Sequence, residues 1–223
     1  MKNHILVVAT HPDDEVLGCG GVMARHAAQG HHVTVLVVTR GAPEIFPPEQ
    51  VEEIRRELRA AHEILGVSSV HFLDFPAPRL DVVSGHELAD AIGQIIRSFQ
   101  PEVIYLPHRG DLHADHRAVY QATMVAGRPI NGCPARKLLS YETLSETEWA
   151  PPLGDDAFIP TVFVDITDYL ERKLQAMSCY RSQLKEPPHP RSLRAAEALA
   201  RLRGSTVSLP AAESFMLVRE IIE

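Results

Sequence analysis

The stretch Ile5-Leu6-Val7-Val8-Ala9-Thr10-His11-Pro12-Asp13-Asp14-Glu15 joins a short unbroken aliphatic run to a cluster of ionisable residues. Residues 5–9 are apolar at every position rather than at alternate ones, the pattern of a central parallel strand buried on both faces. Residues 16–28 read as a helix with Gly30 as its C-terminal cap. Val33 to Thr39 is a second continuous apolar strand. Together these make a β-α-β unit of the expected size.

The alternation continues outward. Helices are expected at 50–65, 85–99 and 115–126, and strands at 70–74 and 102–106. The second half is less regular, with strands expected at 137–143, 161–165 and 215–221 and helices at 169–181 and 191–203. Strands alternating with helices of this length predict an α/β fold, a mostly parallel sheet with helices on both faces. No repeat or linker divides residues 1–223, which are read as a single domain. In such sheets ligands bind beyond the carboxyl ends of the strands.

Composition narrows the function. A formal net charge of −7 argues against a general nucleic-acid or anionic-membrane binder. Cys19, Cys133 and Cys179 form no CxxC pair, and an odd count argues against a disulfide scaffold. No apolar run approaches a membrane span, and residues 1–10 lack the features of a signal peptide, so a cytoplasmic location is the default expectation.

Two polar clusters carry the chemistry. The first is His11 with Asp13, Asp14 and Glu15. Carboxylates gathered at a strand end repel one another and need partners, and a divalent cation supplies one. The bland alternative is that Asp13 or Asp14 caps the next helix. The second is His113-Ala114-Asp115-His116, two imidazoles flanking a carboxylate that can orient one of them. Its bland alternative is again surface or capping polarity. A catalytic zinc takes three protein ligands and keeps an open position, and His and Asp from two strand ends can supply such a set.

The residues resemble the LmbE-like/PIG-L zinc deacetylases. The resemblance is carried by His11-Pro12-Asp13-Asp14-Glu15 with Gly18-Cys19-Gly20-Gly21, and by His113-Ala114-Asp115-His116. Phe72-Leu73-Asp74-Phe75-Pro76, Tyr141-Glu142-Thr143, Pro188-His189-Pro190-Arg191-Ser192 and Glu213-Ser214-Phe215 extend it along nearly the whole chain; Thr10 stands where the signature usually has Ala. The resemblance implies a Rossmann-like three-layer sandwich and one Zn2+ per subunit on His11, Asp14 and His116. It further implies Asp13 as general base, and His113, oriented by Asp115, as a charged or proton-donating second catalytic group. Some members use a Tyr near the second motif, but Asp111 stands there, so that role is not carried over. Some place an Arg on the second helix, where Arg55 and Arg56 lie. Arg55, His189 and Arg191 are the candidate substrate contacts, the last two on a Pro-rich loop. The implied reaction releases acetate from an N-acetylglucosamine-type sugar, and a homo-oligomer, trimer or hexamer, is implied as well. The competing readings are a zinc hydrolase of another amide or ester, and a non-enzymatic Rossmann-like binding protein. The last lacks support from the first turn, which has no complete GxGxxG.

Overall fold

The computed structural model describes residues 2–130 and 132–222. Among these, seven strands form one sheet: β1 (His4–Ala9), β2 (His32–Gly41), β3 (Ser69–Ala77), β4 (Val103–Leu106), β5 (Lys137–Tyr141), β6 (Val162–Asp165) and β7 (Ala212–Glu220). Their order is β3-β2-β1-β4-β5-β7-β6, with β7 antiparallel to both its neighbours and the other pairs parallel. The α-helices are α1 (Asp14–Ala28), α2 (Pro48–Leu65), α3 (Gly85–Phe99), α4 (Ala114–Ala126), α5 (Leu170–Cys179) and α6 (Leu193–Ser205).

The reading of β1 as buried on both faces holds, and it explains the layers. Ile5, Val7 and Ala9 point into a core shared with α1, α2, α5 and α6. Leu6 and Val8 point into a second core shared with α3 and α4. Burial of each Ile, Leu or Val side chain among these contributes about 1.5–3 kcal/mol. Helix α1 lies close on the sheet because two of its glycines leave room. A Cβ on Gly18 would meet the Tyr141 ring at 2.2 Å, and one on Gly21 would meet Ile166 at 2.7 Å. The Gly18-Cys19-Gly20-Gly21 run thus serves helix–sheet contact rather than phosphate binding.

The strand order reverses between β1 and β4, which pair directly through Ile5↔Val103 and Val7↔Tyr105. Crossovers from β1 and from β4 leave in opposite directions, so a crevice opens beyond their carboxyl ends. His11 lies just past β1, and His113 and His116 lie at the start of α4, just past β4. The topology therefore brings together two clusters about a hundred residues apart.

Three of the boundaries that differ from the sequence reading involve charged residues. Helix α1 starts at Asp14 rather than Val16, so Asp14 and Glu15 occupy its first turn. Strand β3 runs on to Ala77 rather than ending at Asp74, past a register shift opposite Val37–Thr39 and past Asp74 at φ 59°. Strand β7 begins at Ala212 because Glu213, though charged, is buried: it accepts the amide N–H groups of Gly21 and Val22 and pairs with Lys173 at 2.6 Å.

Candidate metal centre and active site

Asp13 takes the N-cap position of α1 but makes no side-chain capping bond. Its backbone sits at φ 108°, a region L-residues rarely adopt and one that costs about 1–3 kcal/mol. That twist sends the side chains of Asp13 and Asp14 to different partners. Asp13 meets Arg191, whose Nη1 donates to Oδ2 at 3.1 Å. Asp14 turns inward to the histidines, and its Oδ2 also accepts the His11 amide N–H at 2.7 Å.

Three donor atoms converge there. His116 Nε2 lies 3.3 Å from His11 Nδ1 and 3.3 Å from Asp14 Oδ2, and His11 Nδ1 lies 3.5 Å from Asp14 Oδ2. Donors about 2.0–2.1 Å from one tetrahedral ion stand about 3.3 Å apart, so this triangle has a suitable size for one. The other nitrogen of each ring is held by a carboxylate. His11 Nε2 lies 3.3 Å from Asp115 Oδ2, and His116 Nδ1 lies 2.8 Å from Asp111 Oδ2. Backing of this kind fixes the tautomer of a metal-binding imidazole and raises its basicity. Asp14 Oδ1 is buried without a hydrogen-bond partner, an orphan acceptor that a cation would satisfy. The residues fit a divalent ion on His11, Asp14 and His116. A second grouping, His11 with His113 and Asp115, is also close enough to hold an ion. Its Asp115 is already engaged, since Oδ1 accepts the Leu80 N–H at 2.9 Å.

The electrostatics agree with a site that wants positive charge. Burial opposes charging of His116, yet Asp14 and Asp111 hold its pKa well above the usual histidine value. His11 is likewise raised despite burial, through Asp115 and Asp14. Burial would raise Asp14, but His116 and His11 hold it well below the usual carboxylate range. Asp13 behaves oppositely. Burial pushes it up to about 7, with Asp14 and Glu15 adding to the rise and the Arg191 charge opposing it.

His113 differs from the sequence expectation in how it is held. The Asp115 carboxylate does not orient it; that group faces His11 and Leu80. Instead the Asp115 amide N–H donates to His113 Nδ1 at 3.1 Å, as an N-terminal cap of α4. Burial and the neighbouring His11 and His116 lower its pKa to about 4. Both observations favour the proton-donating over the charged form of that expectation, with Nδ1 accepting and Nε2 left to carry the proton.

A cavity of about 440 Å³ opens over His11, Asp13 and His113, a size usual for small-molecule sites. Arg191 and Arg55 also line it. Arg55 stacks over the Phe72 ring at 4.4 Å and pairs with Asp74. Arg191 reaches in from the Pro-rich loop and is clamped by Ser145 Oγ at 2.6 Å and Glu146 Oε1 at 3.3 Å. His189 is not among the residues that line the cavity. Its Nδ1 accepts the Arg191 amide N–H, and its ring packs edge-on against half-exposed Trp149.

Sequence reasoning left Asp111 and Glu15 without roles. Asp111 stands out in the sequence only as part of the polar cluster after the fourth strand and as the residue at the position of the family's Tyr. Replacing Asp111 with Asn should weaken metal binding by about 10–100-fold, the usual loss when such an outer partner is removed. Competition with a chromogenic chelator measures this, and unchanged affinity would remove Asp111 from the site.

A family model described as PIG-L, GlcNAc-PI de-N-acetylase, matches residues 6–127, which contain both polar clusters. The chain is similar to "Uncharacterized deacetylase YaiS" of Escherichia coli, 33% identical over 187 residues that span 81% of this chain and 92% of that protein. It is also similar to a 1D-myo-inositol 2-acetamido-2-deoxy-alpha-D-glucopyranoside deacetylase of Actinosynnema mirum, 32% identical over 81% of this chain and 80% of that one. Among solved structures, the conserved protein TT1542 of Thermus thermophilus superposes with a TM-score of 0.79 at 29% identity, covering 100% of this chain and 97% of that one. Similarity thus extends beyond the two clusters to the sheet and helices that hold them, and the chain belongs to the PIG-L family of de-N-acetylases.

Proposed function

We propose that this chain is a zinc-dependent hydrolase that removes the N-acetyl group from an N-acetylglucosamine-type sugar, releasing acetate and a free amine. The observation that carries this reading is the His11–Asp14–His116 triangle, with a carboxylate behind each ring and an open cavity in front. Zinc suits two imidazoles and a carboxylate, and no thiolate is among the donors. The sugar class comes from the family and from relatives named as deacetylases of N-acetylated glucosamine compounds.

When bound, zinc supplies Lewis acidity toward water and toward the acetamide carbonyl. The chain's own residues account for the proton movements. Asp13 accepts the proton of the attacking water, and its raised pKa suits a base working near neutrality. His113, with Nδ1 occupied by an amide, offers Nε2–H to the oxygen that becomes negative. Collapse breaks the C–N bond, and protonated Asp13 returns its proton to the leaving nitrogen. A neutral His113 with a pKa of about 4 has no spare proton to give, which favours Asp13 in this step. Arg55 and Arg191, on the cavity wall, are the proposed sugar contacts.

Acetate release across a panel of N-acetyl sugars, with metal analysis of the same sample, tests the reading. The expected result is turnover of at least one N-acetylglucosamine derivative, loss of turnover on chelation and recovery with zinc. Turnover that survives complete chelation, or hydrolysis confined to esters, would refute it.

A further inference from the structure

The geometry points to Glu15 as the positioning residue of Asp13, anchored in turn by His62 and Tyr180. This rests on the reading of Asp13 as the proton acceptor. The Glu15 carboxylate is fully buried. Its Oε2 accepts the Asp13 amide N–H at 3.1 Å. Its Oε1 faces His62 Nε2 at 3.0 Å and accepts the Tyr180 hydroxyl at 2.5 Å. Three helices therefore converge on one side chain: Glu15 lies in the first turn of α1, His62 in the last turn of α2, and Tyr180 at the end of α5.

A buried carboxylate is costly, and packing alone would be served by an aliphatic residue. What this carboxylate does that an aliphatic side chain cannot is hold the amide of a residue in an unfavourable backbone conformation. Asp13 stands at φ 108°, ψ −28° without a glycine's freedom. Release of its amide removes a restraint on that rotation. The carboxylate would then turn away from Arg191 and the cavity, while Asp14, held by His11 N–H and the two rings, keeps its place. The device separates two neighbouring aspartates, one for proton transfer and one for the metal cluster. Residues far from the reacting atoms can matter in this way, because a displacement of about 1 Å can cost about a hundredfold in rate.

The test uses the full-length, zinc-loaded protein as wild type, Glu15→Ala, Glu15→Gln and Tyr180→Phe. kcat and KM are read from acetate release from an N-acetylglucosamine glycoside, alongside zinc content and crystal structures. Glu15→Ala should lose roughly a hundredfold in kcat, with KM changed less than about threefold and zinc still stoichiometric. Its Asp13 should leave positive φ and part from Arg191. Glu15→Gln, which keeps one acceptor oxygen, should fall between it and wild type. Should Glu15→Ala fail to fold, Tyr180→Phe carries the test, with a kcat loss of roughly fivefold at constant KM and zinc. Wild-type kcat in the Glu15 variants, an unmoved Asp13, or a loss fully restored by excess zinc would overturn the proposal. A wild type that releases no acetate would sink the deacetylase reading instead, and the variant structures would then decide the backbone claim by themselves.

Discussion

Asp13→Asn is expected to lower kcat by about 10²–10⁴-fold, the usual contribution of a positioned general base, while the protein still binds its metal. The reason lies in the divergence of two adjacent carboxylates. Asp14 completes the triangle with His11 and His116, whereas Asp13 faces Arg191 at the cavity. An amide of the same size removes the basic oxygen without opening a hole. Turnover and metal content should be measured on one preparation. Near-normal turnover would exclude Asp13 as the base, and loss of metal in step with activity would place it among the ligands. Arg191→Ala provides a second view of the same group. The guanidinium opposes the rise that burial imposes on Asp13, so its removal should raise the Asp13 pKa further. Because the base works deprotonated, the acid limb of kcat/KM should move to higher pH. An acid limb that stays in place would mean that another group controls it.

His116→Ala is expected to abolish turnover and metal binding together. The ring provides a donor 3.3 Å from the other two donor atoms of the proposed metal site, and Asp111 holds it from behind. Its removal also takes the shared imidazole from Asp14 and Asp111, both fully buried, leaving Asp14 with His11 alone and Asp111 with the Thr147 hydroxyl. Breaking a buried ion pair from one side costs about 3–5 kcal/mol, so the variant should melt well below the wild type even without metal. Metal analysis and thermal unfolding of metal-free protein separate these effects. A stoichiometric metal in His116→Ala would exclude it as a ligand. An unchanged melting temperature would mean that the two carboxylates find other partners.

Much of the fold was legible because its signals are local. The unbroken aliphatic runs at residues 5–9 and 33–39 required strands covered on both sides, and the alternation with helical segments required parallel pairing. The last strand was expected from Phe215 but starts at Ala212, where the charged Glu213 is buried because Lys173 and the backbone of α1 pair with it. At the site, the two clusters stood out as concentrations of ionisable groups at strand ends. The sequence offered His113 as a charged or proton-donating group or, in the bland reading, as a capping one; burial and two other rings favour the neutral form, and its Nδ1 accepts the Asp115 amide N–H at the start of α4.

By itself the sequence determined the layered α/β architecture and the two places where ligating chemistry collects, because hydrophobic period and local composition act over a few residues at a time. Only the tertiary structure decided which carboxylate serves which histidine: Asp115 holds His11 from 104 positions away, and Asp111 holds His116. It also decided that Asp13 faces Arg191 across 178 positions while its neighbour faces the rings. Such pairings depend on strand order, helix placement and a single backbone rotation at Asp13, and these are properties of the folded chain as a whole.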